Sequence, residues 1–221
     1  MTPRRAFLTA VLAAGAATAA QPALALQARA QPRQPVRQTL TREQAAIVGQ
    51  ASAYFQGLSA VRGRFTETGP RGETRSGAFY LQRPGRARFE YDAPSRLLVV
   101  SDGSNVKRYD PRLNTFQQAP LSATPLSVFL GRNVRIDEGV RIDRAVRTRE
   151  GFEIVARDAR RLNEGSIALV FGGSPARLMG WTITDAQGGR TRVQLTSMAP
   201  ASGLAASLFQ LRDPTRRPGR R

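Results

Sequence analysis

The sequence predicts a mainly β (α+β) fold, a large curved antiparallel sheet with a few short helices plugging its concave side. Three observations carry this. From Val61 onward apolar and polar residues alternate in many short segments, the period of strands with one covered face. Glycine and proline turn signals separate most of those segments. Helical spacing occurs in only two places.

Taken in order, residues 1–25 read as an export signal. Arg4 and Arg5 give a positive start, Ala6 to Ala20 is apolar and uncharged, and Ala23-Leu24-Ala25 is a small-x-small cleavage site. Arg4-Arg5-Ala6-Phe7-Leu8 also matches the core of a twin-arginine signal, so both export routes stay open. Residues 26–40 are rich in Gln, Pro, Arg and Ala without an apolar period and predict a flexible linker. The folded domain is expected over 41–213. It opens with the capping box Thr41-Arg42-Glu43-Gln44, ahead of a helix whose Ile47, Ala51, Tyr54, Phe55 and Leu58 share one face. Strands are expected where Val61, Gly63 and Phe65, then Gly77, Phe79 and Leu81, then Phe89 and Tyr91 alternate with polar residues. Leu97–Ser101 runs into Asp102-Gly103, a hairpin signal, and on into Val106–Tyr109. Thr124-Pro125 opens a second short helix through Leu130, with proline at its first position. Further strands are expected at Arg141–Arg147, Phe152–Asp158, Ser166–Phe171, Leu178–Thr184 and Arg190–Ser197, in one even meander. The basic stretch 214–221 predicts a disordered tail.

Composition removes most chemistry. The chain has no cysteine and no histidine, so disulfides, thiolate or imidazole metal sites and Ser/His/Asp catalysis cannot be built. No catalytic residue, metal or cofactor is expected. Without cysteine the chain carries no lipid anchor of its own, and a cleaved signal then implies a soluble periplasmic or secreted protein. The formal charge of +18, from 34 basic and 16 acidic residues, suits nucleic acid, an anionic surface or an acidic partner. Export and the scatter of arginines along strands argue against nucleic acid. A hydrolase would need two carboxyls facing each other across a cleft; Asp137-Glu138 with Asp143 is the one acidic cluster to consider, and it reads as a solvated turn.

One constellation is more specific. Leu81-Gln82-Arg83-Pro84-Gly85 is followed by Arg88-Phe89-Glu90-Tyr91, Pro94, Val99-Val100-Ser101-Asp102-Gly103 and Tyr109-Asp110-Pro111. In order and spacing this resembles the outer-membrane lipoprotein carrier (LolA-type) family, with Phe65 at that family's first sheet phenylalanine and Thr124–Leu130 at its lid region. Two departures are Ala87, where the family has a bulky apolar residue, and Thr66-Glu67, where it has a polar amide. The family's membrane-anchored receptors carry a lipidated cysteine and an apolar protruding loop. Here Asp92-Ala93-Pro94-Ser95-Arg96 is short and polar, which fits the carrier branch.

The resemblance implies an incomplete barrel whose inner wall holds acyl chains. Phe65, Phe79, Leu81, Phe89, Tyr91 and Val99 are the candidate cargo-binding cavity; read by pattern alone, the same residues make a filled sheet core. It implies that Arg83 gates a lid, by hydrogen bonds that hold the lid to the barrel when the pocket is empty. Asp102 and Gly103 read as turn formers. The implied function is a periplasmic carrier that shields lipoprotein acyl chains and shuttles them from the inner to the outer membrane. Its implied partners are acylated lipoproteins as cargo, an ATP-driven inner-membrane transporter and an outer-membrane receptor, with the carrier a monomer. The alternative is a same-fold binder of free lipid or a lipoprotein-sensing regulator.

Overall fold

The computed structural model describes residues 38–124, 126–131, 136, 139–159 and 162–216. The export signal, most of the linker, Pro125, Asp137, Glu138 and the end of the tail lie outside them. The described residues form an 11-stranded antiparallel sheet with one long helix. The strands are β1 (Ala60–Thr68), β2 (Thr74–Gln82), β3 (Arg86–Tyr91), β4 (Leu98–Asp102), β5 (Asn105–Asp110), β6 (Thr115–Pro120), β7 (Val140–Arg147), β8 (Gly151–Asp158), β9 (Gly165–Gly172), β10 (Arg177–Asp185) and β11 (Arg190–Pro200).

The sheet order is β6-β5-β4-β3-β2-β1-β11-β10-β9-β8-β7. This corrects the expected single meander. Two meanders are joined where the first strand pairs with the last, Val61 opposite Pro200 and Thr68 opposite Arg192. Local periodicity reports which face a residue takes but not which distant strand lies beside it. β6 and β7 end the sheet without pairing to each other, so the barrel is incomplete. β6 was not foreseen: its Thr-Phe-Gln-Gln-Ala-Pro carries no apolar alternation, and register alone makes it a strand, with six pairs to β5.

α1 (Arg42–Gly57) starts at the capping box. The Gln44 amide N–H donates to Thr41 Oγ1 at 3.2 Å, and the Thr41 amide to Gln44 Oε1 at 3.0 Å. The helix packs on β7 and β8 and buries Ile47, Val48, Ala51 and Phe55. The expected second helix is one turn, α2 (Ser127–Leu130), preceded by a 3₁₀ turn at Leu121–Ala123.

Two glycines make the concave wall possible. In the β1–β2 ladder Gly63 faces Phe79 and Phe65 faces Gly77. A Cβ on Gly77 would lie 2.8 Å from the Phe65 ring, and one on Gly63 2.7 Å from the Phe79 ring. Each ring therefore lies over its glycine partner, filling space that a side chain would take.

The convex face carries a small core of its own. Val100 and Phe209 are buried outside the main core, with Phe209 in a 3₁₀ turn at Ala206–Phe209 laid against β3 and β4. Arg88 fastens it, donating from Nη1 to the Leu208 carbonyl at 3.0 Å and from Nε to Glu90 at 2.6 Å. The outer edge of β7 is covered differently. The Gln38 side-chain amide donates to the Ile142 carbonyl at 2.6 Å and accepts from the Ile142 N–H at 2.8 Å.

Candidate binding cavity

Alternation puts one residue in two of each strand on the concave face, and α1 covers part of that face. Between them lies a hollow lined by Tyr54, Phe55 and Leu58 of the helix end, Phe79 and Leu81 of β2, Leu178 and Trp181 of β10, and Leu195 and Met198 of β11. Its free volume is about 10 Å³. Pockets that bury a drug-sized ligand run to roughly 300–1,000 Å³. The hollow is nearly filled by its own lining. The Tyr54 hydroxyl donates to Met198 Sδ at 3.7 Å; burial pushes this phenol above its ordinary value, against the Leu178 backbone and Arg177, which lower it.

Phe79 and Leu81 line this hollow. Phe65 and Phe89 pack in an adjoining aromatic cluster. Phe89 meets Phe65 edge-on at 5.5 Å and Trp181 at 6.1 Å, and stacks on Phe79 at 6.3 Å. Val99 lies opposite Phe89 in the ladder and is half-buried. Tyr91 meets Phe65 edge-on at 5.1 Å and donates its hydroxyl to Glu67, at the departure noted after Phe65. Trp181 lies far along the chain from the Arg83–Pro111 constellation. The β1–β11 pairing brings it onto Phe89 at the centre of the cluster. Leu178, Leu195 and Met198 were missed for the same reason, although the alternation in β11 marks Leu195 as inward-facing.

Burial, the Glu67 carboxylate and the hydrogen bond to it together push the Tyr91 phenol far above its usual value of about 10. The folded state thus holds this proton more tightly than the unfolded chain. The stability it confers is complete below about pH 10 and falls as pH rises beyond that value, where the unfolded phenol ionises. Tyr91→Phe should therefore leave the phenolate absorbance of the folded protein unchanged through the pH range where free phenols titrate. A titrating phenol missing from the variant would place Tyr91 in solvent.

Arg83 follows β2 in the turn to β3. Its backbone N–H donates to the Ser59 carbonyl at 2.8 Å, and its Nη2 donates to the Gly131 carbonyl, just past α2, at 2.7 Å. Two residues on, the Gly85 N–H donates to the Leu130 carbonyl at 2.7 Å. The β2–β3 turn is thus tied to two successive carbonyls at the end of α2. Burial lowers the Arg83 guanidinium from its ordinary value. Ser101 is buried and donates to the Gly85 carbonyl at 2.6 Å, steadying the turn from β4. Asp102 accepts from the Ser104 and Asn105 amides at 2.9 and 2.8 Å and pairs with Lys107 at 2.9 Å, the contacts of a turn former.

Among the described residues no cluster of carboxylates is placed to hold a metal, and no helix is long and apolar enough to cross a membrane. Asp143 pairs with Arg157 and Arg141.

Comparison with known proteins follows the same lines. The sequence profile of the family described as outer membrane lipoprotein carrier protein LolA matches residues 56–212. The outer-membrane lipoprotein carrier protein of Methylibium petroleiphilum is 32% identical over 163 residues, 69% of this chain and 78% of that one. That of Bordetella pertussis is 29% identical over 177 residues, covering 75% and 81%. The crystal structure of a LolA superfamily protein from Nitrosomonas europaea aligns with a TM-score of 0.42 at 10% identity, over 77% of this chain and 99% of that one.

Proposed function

We infer that this chain, which belongs to the outer-membrane lipoprotein carrier family, takes up the acyl chains of lipoproteins in the periplasm and shuttles them from the inner to the outer membrane. The family is one of carriers, not enzymes. Exposing acyl chains to water costs about 0.8 kcal/mol per CH₂, tens of kcal/mol for a lipoprotein. Crossing an aqueous compartment therefore calls for an apolar enclosure that travels with the cargo. Phe79, Leu81, Leu178, Trp181, Leu195 and Met198 face such an enclosure from both halves of the sheet.

The observation that supports the reading is that an apolar hollow faces both halves of the sheet, nearly filled by its own lining, while the β2–β3 turn is tied to the end of α2. A free volume of about 10 Å³ holds no acyl chain, so uptake must part the helix end that lines the hollow from the sheet, with the α2 region as the lid. Arg83 and Gly85 hold the end of α2. Arg83 is the lid's latch in the cargo-free state, and breaking its bond to Gly131 accompanies loading. Phe65, Phe89, Tyr91 and Val99 become part of the cargo-binding wall when the sheet opens. By its family resemblance the donor is an ATP-driven transporter of the inner membrane and the acceptor a receptor in the outer membrane. The turn after β3 is tight, with the Arg96 N–H on the Asp92 carbonyl at 3.1 Å, and presents no apolar protrusion for entering a bilayer.

Mass spectrometry of the protein purified from its own periplasm under native conditions tests this. Acylated polypeptide should co-purify. Bare phospholipid in its place would make the chain a lipid binder and remove the lipoprotein role.

A further inference from the structure

The sheet has two free edges, and they are finished in opposite ways. An exposed edge strand is a template for pairing with another chain, and proteins blunt edges with charge, bulges or a covering group. β7 has all three. Arg141, Asp143, Arg144 and Arg147 charge it, its register shifts between Ile142 and Arg144, and the Gln38 amide occupies both main-chain groups of Ile142. β6 has none of them along Thr115–Ala119. It carries no charged residue, its register with β5 is unbroken, and among the described residues no element covers its outer side.

The direction of its main-chain groups follows from one hydrogen bond. The Leu121 N–H donates to the Ser104 carbonyl at 2.8 Å, so Leu121 and Ser104 are a hydrogen-bonded pair in the same register that sets Ala119 opposite Val106 and Gln117 opposite Arg108. Antiparallel ladders alternate. Thr115, Gln117 and Ala119 therefore bond to β5, while Phe116 and Gln118 turn their N–H and C=O groups outward. Pro120 offers only its carbonyl and ends the edge. β6 runs straight into Leu121, which is buried, and the 3₁₀ turn ahead of α2, whose end Arg83 and Gly85 hold. The bare edge thus borders the lid.

We propose that the outer edge of β6 binds the extended polypeptide next to the acylated residue of the cargo, by adding it to the sheet as a further strand. This rests on the carrier reading above. A carrier that serves many lipoproteins can depend only on what they share, the acyl chains and the main chain. Strand addition recognises the main chain without reading side chains. An uncharged edge beside the lid meets that need, and the guarded edge of β7 does not.

The test uses the full mature chain and three uncharged probes: a diacylated cysteinyl hexapeptide of Ser, Gly and Asn, the same peptide N-methylated at alternate amides, and the diacylated cysteine methyl ester without peptide. Gln118→Pro removes one outward N–H without touching the β5 ladder, a position where edge strands accept proline; Gln118→Ala controls for the side chain. Wild type should bind the plain peptide more tightly than the ester. Gln118→Pro, and separately N-methylation, should weaken peptide binding roughly three- to ten-fold, the scale of a main-chain hydrogen bond. Binding of the ester, and everything about Gln118→Ala, should stay unchanged. Equal peptide affinity in Gln118→Pro and wild type would overturn the proposal. So would a wild-type dimer that Gln118→Pro dissolves in sedimentation, which would give the edge to a second copy. Failure of wild type to bind even the ester would refute the carrier reading itself.

Discussion

Replacing Arg83 with leucine is expected to leave uptake of lipoprotein at least as good as in wild type while its release to the acceptor fails. The guanidinium spans from the β2–β3 turn to the Gly131 carbonyl, and Leu can offer no donor there. Hydrogen bonds from charged groups contribute about 1.5–3 kcal/mol. Arg83 is only half-buried, so solvent screening brings this to about 1–2 kcal/mol, a shift of roughly 5- to 30-fold toward the open state. A favoured open state binds better and no longer pushes cargo out by closing. Loaded variant should therefore accumulate in the periplasm, measured as lipoprotein co-purifying with it, and Arg83→Lys should restore release only in part, since a point charge replaces a planar fork. Loss of uptake with normal release would make Arg83 a cargo contact.

Phe89→Glu is expected to abolish folding at neutral pH. Phe89 lies among Phe65, Phe79 and Trp181 and is only 6% exposed. A carboxylate there has no cationic partner, and an unpaired buried charge costs several kcal/mol, against a total stability of about 5–15 kcal/mol for a domain. Far-ultraviolet circular dichroism should lose its sheet signal, while Phe89→Leu should keep it with a lowered Tm. A folded Phe89→Glu protein would show that the cluster opens to water in the resting state.

How far the sequence could be read differed between the two halves of the sheet. From Arg83 to Pro111 the turns, the strands and the inward alternation of Phe89, Tyr91 and Val99 were visible, because glycine, proline and alternation act locally. The pairing of β1 with β11 was not visible, since no local preference ties Phe65 to Leu195. That one pairing decides who faces the hollow. Trp181, Leu178 and Met198 were legible as strand residues but not as neighbours of Phe79. β6 escaped notice because an edge strand with both faces half-exposed loses the contrast that makes alternation readable. The convex core under Phe209 escaped for the complementary reason: Val100 stands within a continuous apolar run, Leu97–Ser101, which does not say that one of its faces is covered from outside.

The meeting of first strand and last also orders events during synthesis and folding. The hairpins from β1 to β6 can form as they emerge, yet Val61 has no neighbour on its second side until Pro200 has been made. Until then the aromatic residues of β1, β2 and β3 lack Trp181 and stay wet. Contacts this far apart in sequence carry a large loop-closure entropy and make folding slow. For most of its production the chain therefore exposes the aromatic residues of one half of the sheet that only the other half can cover, and it needs protection from water until the last strand arrives.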